Sequence, residues 1–270
     1  MDINTNIGYN LKTKDIELKL YEDSKNKKSS LLIIINREKV LNAISLEILK
    51  ELLNIFDYFK DKNFIRSIVI TGSGDKAFIA GADIKSMSEY SPKEAYYYSK
   101  KGQELVRCIM NYKKPIIAAV NGYALGGGCE IASACHIRYA SKNALFGQPE
   151  VKLGIIAGWG GTQNLPKLVG FSNAIDLLVS GKIINAEEGY RIGLVNKIFD
   201  QDSLIDEVMN LTRVINQNSP NAISNTLSSV YYSASEEGYD NEAKMFKDSF
   251  KHNDSKIGLK AFVNKDKPQF

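Results

Sequence analysis

Histidine, cysteine and tryptophan are scarce in this 270-residue chain, which holds two, three and one of them. The histidines, His136 and His252, are too few for a metal site and, with no G-x-S-x-G elbow, do not make a Ser–His–Asp triad. His136 reads as a structural residue beside a strand, and His252 as part of a polar, exposed helix. Cys108, Cys129 and Cys135 form no C-x-x-C pair and lie in apolar contexts, so they read as buried free thiols. No apolar run approaches the ~18–20 residues of a membrane helix. The stretch from Met1 to Lys14 lacks both the apolar core of a secretory signal and the arginine-rich amphipathic pattern of a transit peptide, so cytoplasmic residence is expected. There is no Walker A motif. Gly72-Ser73-Gly74-Asp75-Lys76-Ala77 has dinucleotide-loop spacing, but Phe78-Ile79-Ala80-Gly81 does not start the helix such a loop needs, so it reads as a turn. A net charge of +4 is too mild for a dedicated nucleic-acid surface. The lysines Lys25, Lys27 and Lys28 read as a solvated surface. Lys260, Lys265 and Lys267 form a second cluster, for which a solvated surface and phosphate recognition are both open.

What remains is an ordinary globular composition, 44% apolar and 24% charged, able to bury a sizeable core. Ile16–Tyr21 and Leu31–Ile35 read as strands around a polar turn. Ser45 caps a helix in which Leu46, Leu49, Leu52, Leu53, Phe56 and Phe59 recur at helical spacing. Ser67–Thr71 and Pro115–Val120 are short apolar strands of the kind a buried parallel sheet uses. Ser91-Pro92 opens a helix to about Tyr112. A further helix begins near Gly127 and runs to about Cys135, followed by strands at His136–Ala140 and Ala144–Phe146. Beyond Gly158 the pattern is mostly helical, with one strand at Val195–Phe199. Strands alternating with helices over crossover lengths predict an α/β core, residues 12–200, followed by a helical C-terminal segment, residues 201–270. No internal sequence repeat is visible.

Two glycine-rich stretches carry the chemistry. The first is Phe78-Ile79-Ala80-Gly81-Ala82-Asp83-Ile84-Lys85. The second is Asn121-Gly122-Tyr123-Ala124-Leu125-Gly126-Gly127-Gly128-Cys129-Glu130, followed by Gly147-Gln148-Pro149-Glu150. Glycines at this density leave backbone N–H groups open to a ligand, and those of Gly126–Gly128 sit at a helix start, where orphan donors and the dipole favour negative charge. Two such donors on one oxygen make an oxyanion hole, and nearby carboxyls supply acid–base chemistry. Close helix packing explains one or two glycines. It explains three in a row followed by Glu130 less well. Glu130 could serve only the helix dipole and Glu150 could be a loop acid; their spacing does not put them on one helical face.

Taken in order, the segments Asn36–Ala43, Lys76–Lys85, Lys114–Gly122, Gly126–Glu130, Phe146–Glu150, Gly158–Gln163, Ala186–Gly189 and Gly193–Asn196 resemble the crotonase, or enoyl-CoA hydratase/isomerase, family over nearly the whole chain, nearest its short-chain hydratases. The resemblance implies an α/β spiral of repeated ββα units, ClpP-like, with a helical C-terminal trimerisation segment. It implies a thioester oxygen held by the N–H groups of Ala82 and Gly127, a pair worth ~3–4 kcal/mol per donor elsewhere. It places Glu130 and Glu150 around one water, with the Gly158 N–H helping to hold it. Isomerases, dehalogenases and decarboxylases of the family usually replace one or both acids, so both together imply syn addition of water to a trans-2-enoyl-CoA, or the reverse dehydration. Glu130 is expected as the ionised partner and Glu150 as the acid that donates at C2. No metal or redox cofactor is implied, since coenzyme A arrives as part of the substrate. Lys39, Leu41, Ala43, Ala80, Asp83, Ile84 and Lys85 match positions that contact it. Phe262 and Lys265 match a segment that reaches a neighbouring subunit's site, implying homotrimers or hexamers.

Three departures stand out. Glu38 and Val40 replace the usual proline and alanine of an early R-P-K-A motif, and Ala157 replaces a common proline. Trp159 replaces a small residue beside the acyl site, where it either shortens the pocket or only packs. The rival activities are an enoyl-CoA isomerase or another acyl-CoA lyase. A third rival, an RNA-binding homologue, calls for a lysine-rich helix, whereas the first helix holds only Lys50 and Lys60 among Glu47, Glu51 and Asp57.

Overall fold

A computed structural model describes residues 2–4, 8–23, 28–233 and 235–270, so Lys25 and Lys27 lie outside the described residues. Its frame is a seven-stranded sheet in the order Asp2–Asn4, Ile16–Asp23, Lys28–Ile35, Ile65–Gly72, Ile116–Val120, Ile137–Ser141, Lys197–Phe199. The first two pairings are antiparallel and the rest parallel. The apolar run Leu31–Ile35 is buried on both faces, as a strand inside a covered sheet requires. Leu31, Ile33 and Ile35 enter the main core with Phe56 and Phe59 of the helix Leu46–Phe59. Leu32 and Ile34 face the other way, with Val69, Ile117 and Tyr139, and are covered by Leu204, Val208 and Met209 of the helix Leu204–Asn216.

A second, four-stranded sheet, in the order Ile183–Asn185, Leu145–Gly147, Tyr123–Leu125, Ala77–Ile79, positions the chemistry. Three times the chain leaves a large-sheet strand, adds three residues to this small sheet, and turns into a helical element. The units are Ile65–Gly72 with Ala77–Ile79, Ile116–Val120 with Tyr123–Leu125, and Ile137–Ser141 with Leu145–Gly147. This is the ββα spiral, present as structure although no sequence repeat marks it.

Local chemistry explains the helix starts. The Ser45 hydroxyl accepts from Ile48 N, and Ser91 and Glu94 form a reciprocal capping box at Pro92–Met110. Some boundaries differ from the sequence reading. The expected turn at residues 22–30 contracts because the hairpin pairs Asp23 with Lys28. The strand expected from Val195 begins at Lys197, since the N–H groups of Leu194 and Val195 both donate to Gly189 O and close the preceding helix. His252 caps the helix Asn253–Asn264 from outside rather than lying within a helix. His136 is structural: its Nδ1 accepts from Ile116 N at 2.9 Å, and burial pushes its pKa down to about 4. Cys129 and Cys135 are buried and Cys108 half-buried, all as free thiols. In the last three helices, Pro220–Val230, Gly238–Ser249 and Asn253–Asn264, only Ala261 is buried. Phe262 is 84% exposed.

Candidate active site

Two backbone N–H groups are freed by the way their segments are tied down. Ile44 and Ala82 form a parallel bridge in which Ile44 N donates to Gly81 O and Asp83 N to Ile44 O. Those bonds use the neighbours of Ala82 and leave its own N–H without an acceptor among the described residues. Gly127 is the first residue of the helix Gly127–Ala134, and its N–H is one of the orphan donors of a helix start. Gly126 precedes it at φ 50, ψ −122, a backbone shape that suits glycine. Glycine also lets the two segments touch, because a Cβ on Gly128 would lie 1.8 Å from Ile79 O. At the far end of this buried helix the guanidinium of Arg138 donates to Ala132 O and Cys135 O, satisfying carbonyls of its last turn, and also to Leu194 O.

Both donors line one cavity of 780 Å³, and Glu130 and Glu150 line it too. Glu130 is only 2% exposed. Its Oε1 accepts from Trp159 N and Gly161 N, each at 2.7 Å. Burial pushes its pKa up to about 7; these backbone donors oppose the rise, and the charge of Glu150 adds to it. Glu150 lies in the first turn of the 3₁₀ helix Pro149–Leu153, and burial raises its pKa as well. A Cβ on Gly126 would lie 2.8 Å from Glu150 Oε1, so this acid rests on the start of the Glu130 helix. The buried Gln148 amide, turned to present its nitrogen, donates to both Glu150 oxygens at 3.1 and 3.2 Å. Two carboxyls that line one cavity and both resist ionisation are suited to acid–base chemistry.

Trp159 and Gly158 form the wall behind the acids. The indole, 3% exposed, lies between Gly102 and Gly127, whose added Cβ atoms would sit 2.0 and 2.4 Å from its ring. Its edge meets Tyr98 at 5.4 Å and 73°. The Gly158 carbonyl accepts from Ser99 Oγ at 2.6 Å and Gln103 Nε2 at 3.2 Å. Ala157 is buried, in contact range of Gly161.

Ala80, Ala82, Ile84, Gly127, Glu130, Glu150, Gly158 and Trp159 are thus brought to one cavity, whereas Lys39, Leu41, Ala43, Asp83, Lys85, Phe262 and Lys265 do not line it. Leu41 is linked to it through its carbonyl, which accepts from Ala80 N. Arg37 ties the rim together by donating to Ala43 O at 2.7 Å and pairing with Asp15 and Asp83 at 3.2 and 3.3 Å. Asp83 also caps the short helix Ile84–Met87. Glu38, in place of proline, accepts from Ser73 Oγ at 2.6 Å and joins the rim loop to the 72–75 turn. Asn42 and Asn121 hold that turn from both sides through Ser73 O, Ala77 O, Gly72 O and Gly74 O. Sequence reasoning missed Ser99, Gln103, Tyr98 and Gly102, and gave Gln148 no role although it lay inside a quoted motif. Only Gly102, a glycine inside a strong helix pattern, carried a signal that something large packs there.

Among the described residues no group of three or more His, Cys, Asp or Glu could hold a metal ion, and no helix is long and apolar enough to cross a membrane. A family profile described as Enoyl-CoA hydratase/isomerase matches residues 25–270. The chain is 43% identical over 247 residues to a crotonyl-CoA hydratase of Syntrophomonas wolfei, covering 88% of this chain and 93% of that protein. It is 39% identical to a short-chain-enoyl-CoA hydratase of Clostridium acetobutylicum, covering 87% and 92%. A crystal structure of an enoyl-CoA hydratase from Bacillus anthracis superposes with a TM-score of 0.89 at 30% identity, covering 95% of this chain and 99% of that one.

Proposed function

The chain belongs to the enoyl-CoA hydratase/isomerase family and is an enoyl-CoA hydratase, and we propose that Glu130 and Glu150 perform its hydration inside the cavity they share. The observation that carries the assignment of roles is the convergence on one cavity of a buried carboxyl, Glu130, a half-buried one, Glu150, and the Ala82 and Gly127 segments with their N–H groups. In the proposed reaction the thioester oxygen sits between Ala82 N–H and Gly127 N–H. Charge that builds there as C3 is attacked meets fixed donors and needs no reorganisation. A water held by both acids and the Gly158 N–H adds to C3 and gives a proton to Glu130, whose ionised form the Trp159 and Gly161 N–H groups stabilise against the cost of burial. Glu150 gives its proton to C2 on the same face, which yields a 3-hydroxyacyl-CoA. Proton exchange between the acids resets the pair, and dehydration is the same path reversed. These steps move only protons and water, so no metal or redox group is assigned to them. The test is loss of the enoyl-thioester ultraviolet band of crotonyl-CoA on mixing with the enzyme. An enzyme that shifted the double bond of a 3-enoyl-CoA yet left crotonyl-CoA untouched would be an isomerase instead.

The coenzyme is proposed to lie along the rim formed by Lys39, Leu41, Ala43, Ala80, Asp83, Ile84 and Lys85, its phosphates near Lys85. Phe262 and Lys265 serve a neighbouring subunit's coenzyme in a homotrimer or a hexamer built from two trimers. The exposed Phe246, Phe250, Phe262 and Val263 support that reading, since these apolar side chains gain cover only from another molecule. Light scattering is expected to give three or six times the 30.1 kDa chain mass, and a monomer would refute it.

A further inference from the structure

Ser99 and Gln103 stand one turn apart on the helix Pro92–Met110, and both donate to the carbonyl of Gly158. They flank Gly102, whose missing side chain admits the Trp159 indole. The Gly158 carbonyl and the Trp159 N–H belong to one planar peptide unit, and no cis bond occurs among the described residues, so they point in opposite directions. That N–H donates to Glu130 Oε1. A continuous chain therefore runs from two polar side chains, across a single peptide, to a buried carboxylate. Donors on the carbonyl end polarise the peptide and strengthen the bond its N–H makes.

We propose that Ser99 and Gln103 are positioning residues for hydration, acting through the Gly158–Trp159 peptide to fix the direction and hold of the Glu130 carboxylate. The inference rests on the reading of Glu130 as an acid–base residue. Without the two donors the carbonyl loses its anchors, and the peptide can rotate away from the acid. Glu130 then keeps only the Gly160 and Gly161 backbone donors, so its ionised form is less favoured and its pKa rises further. The other groups around Glu130 do not substitute for this control. Glu150 faces it from the Pro149–Leu153 turn with a charge of the same sign. On its own helix the neighbouring Cys129 thiol is held protonated by burial. Tyr98 reaches the cavity with its hydroxyl bonded to Ile44 O. Lys101 and Glu104 pair with each other, and Lys167, the one charged residue of the helix Gly161–Val169, is exposed in its last turn.

The test compares Ser99→Thr with Ser99→Val, each in a Gln103→Leu background. Threonine and valine share shape and branching, so they differ only in whether a hydroxyl reaches Gly158 O. The valine variant is expected to lose about tenfold in kcat on crotonyl-CoA, with KM within twofold. Its acid limb in kcat against pH is expected to lie at higher pH, because an ionised base is needed and its pKa has risen. The threonine variant is expected to recover most of the rate and the original limb. Equal rates and equal acid limbs in the two would overturn the inference. A parallel Glu130→Gln measurement separates the two levels: if that variant hydrates normally, the role of Glu130 itself is wrong, whatever Ser99 does.

Discussion

Replacing Glu130 by glutamine is expected to slow hydration of crotonyl-CoA by roughly a thousandfold, within the span that general acid–base groups contribute, while making the protein more stable at pH 8. Glutamine keeps an oxygen where Oε1 accepts from Trp159 N and Gly161 N, so the wall of the cavity stays in place. It removes the group that takes the proton from water. The stability gain follows from the shift from 4.5 to about 7, because burial penalises the charged form. As pH rises, the unfolded chain ionises this acid first and the folded chain later, so folding is penalised increasingly above about pH 4.5 and fully above about pH 7. Removing the charge should return on the order of 2–3 kcal/mol at pH 8 and nothing at pH 4. Glu150→Gln should lose a similar share of activity with a smaller gain, since its carboxyl is less buried. Wild-type turnover in either variant would end the two-acid mechanism, and an unchanged melting temperature for Glu130→Gln at pH 8 would contradict the burial cost.

The fold explains why these acids meet although twenty residues separate them. Tyr123–Leu125 and Leu145–Gly147 are adjacent parallel strands of the small sheet, with Leu125 opposite Gly147. Gly126 N donates to Gly147 O across the same edge. Glu130 lies five residues past one strand end and Glu150 three past the other, so two successive ββα units bring both acids to one cavity. The long large-sheet strands, the caps at Ser45 and Ser91 and the glycine-led helix at Gly127 were legible because each has a signal several residues long, whereas the three-residue edge strand Asp2–Asn4 was not read. Of the small sheet only Leu145–Gly147 was legible, as the strand read at Ala144–Phe146, since three-residue strands are too short to show a period. The sheet's arrangement was available only through resemblance to a family. The Ser99–Gln103 clamp was illegible for another reason: a serine and a glutamine on a polar helix look like solvated residues until a carbonyl is seen to face them. Arg37 and Asn42 sat inside a recognised motif, yet only their partners, Ala43 O, Asp83, Ser73 O and Ala77 O, reveal that they hold the rim and the turn.

Trp159→Ala is the second change with a large expected effect, and it decides between the two roles the sequence left open. The indole is wedged against Gly102 and Gly127, so it is packed, yet it also forms cavity wall beside the N–H proposed to hold the thioester. A glycine in a helix interior costs about 1 kcal/mol relative to alanine, and Gly102 carries that cost where only a bare backbone lets the ring in. Truncation should destabilise the fold by about 3–5 kcal/mol, the usual range for a buried tryptophan. It should also free room next to the reacting carbonyl for about four methylenes. At ~0.8 kcal/mol per buried methylene, the ratio of kcat/KM for a trans-2-octenoyl thioester over crotonyl-CoA should rise by roughly a hundredfold. Gly102→Ala supplies the opposite pressure, since its methyl would meet the indole at 2.0 Å and force it toward the cavity. That variant should lose activity on every chain length, most on the longest. If Trp159→Ala loses stability while the chain-length ratio stays fixed, the indole is packing alone. The acyl chain would then leave past Ile84, Leu153 and Ile156, the exposed apolar side chains that line the same cavity.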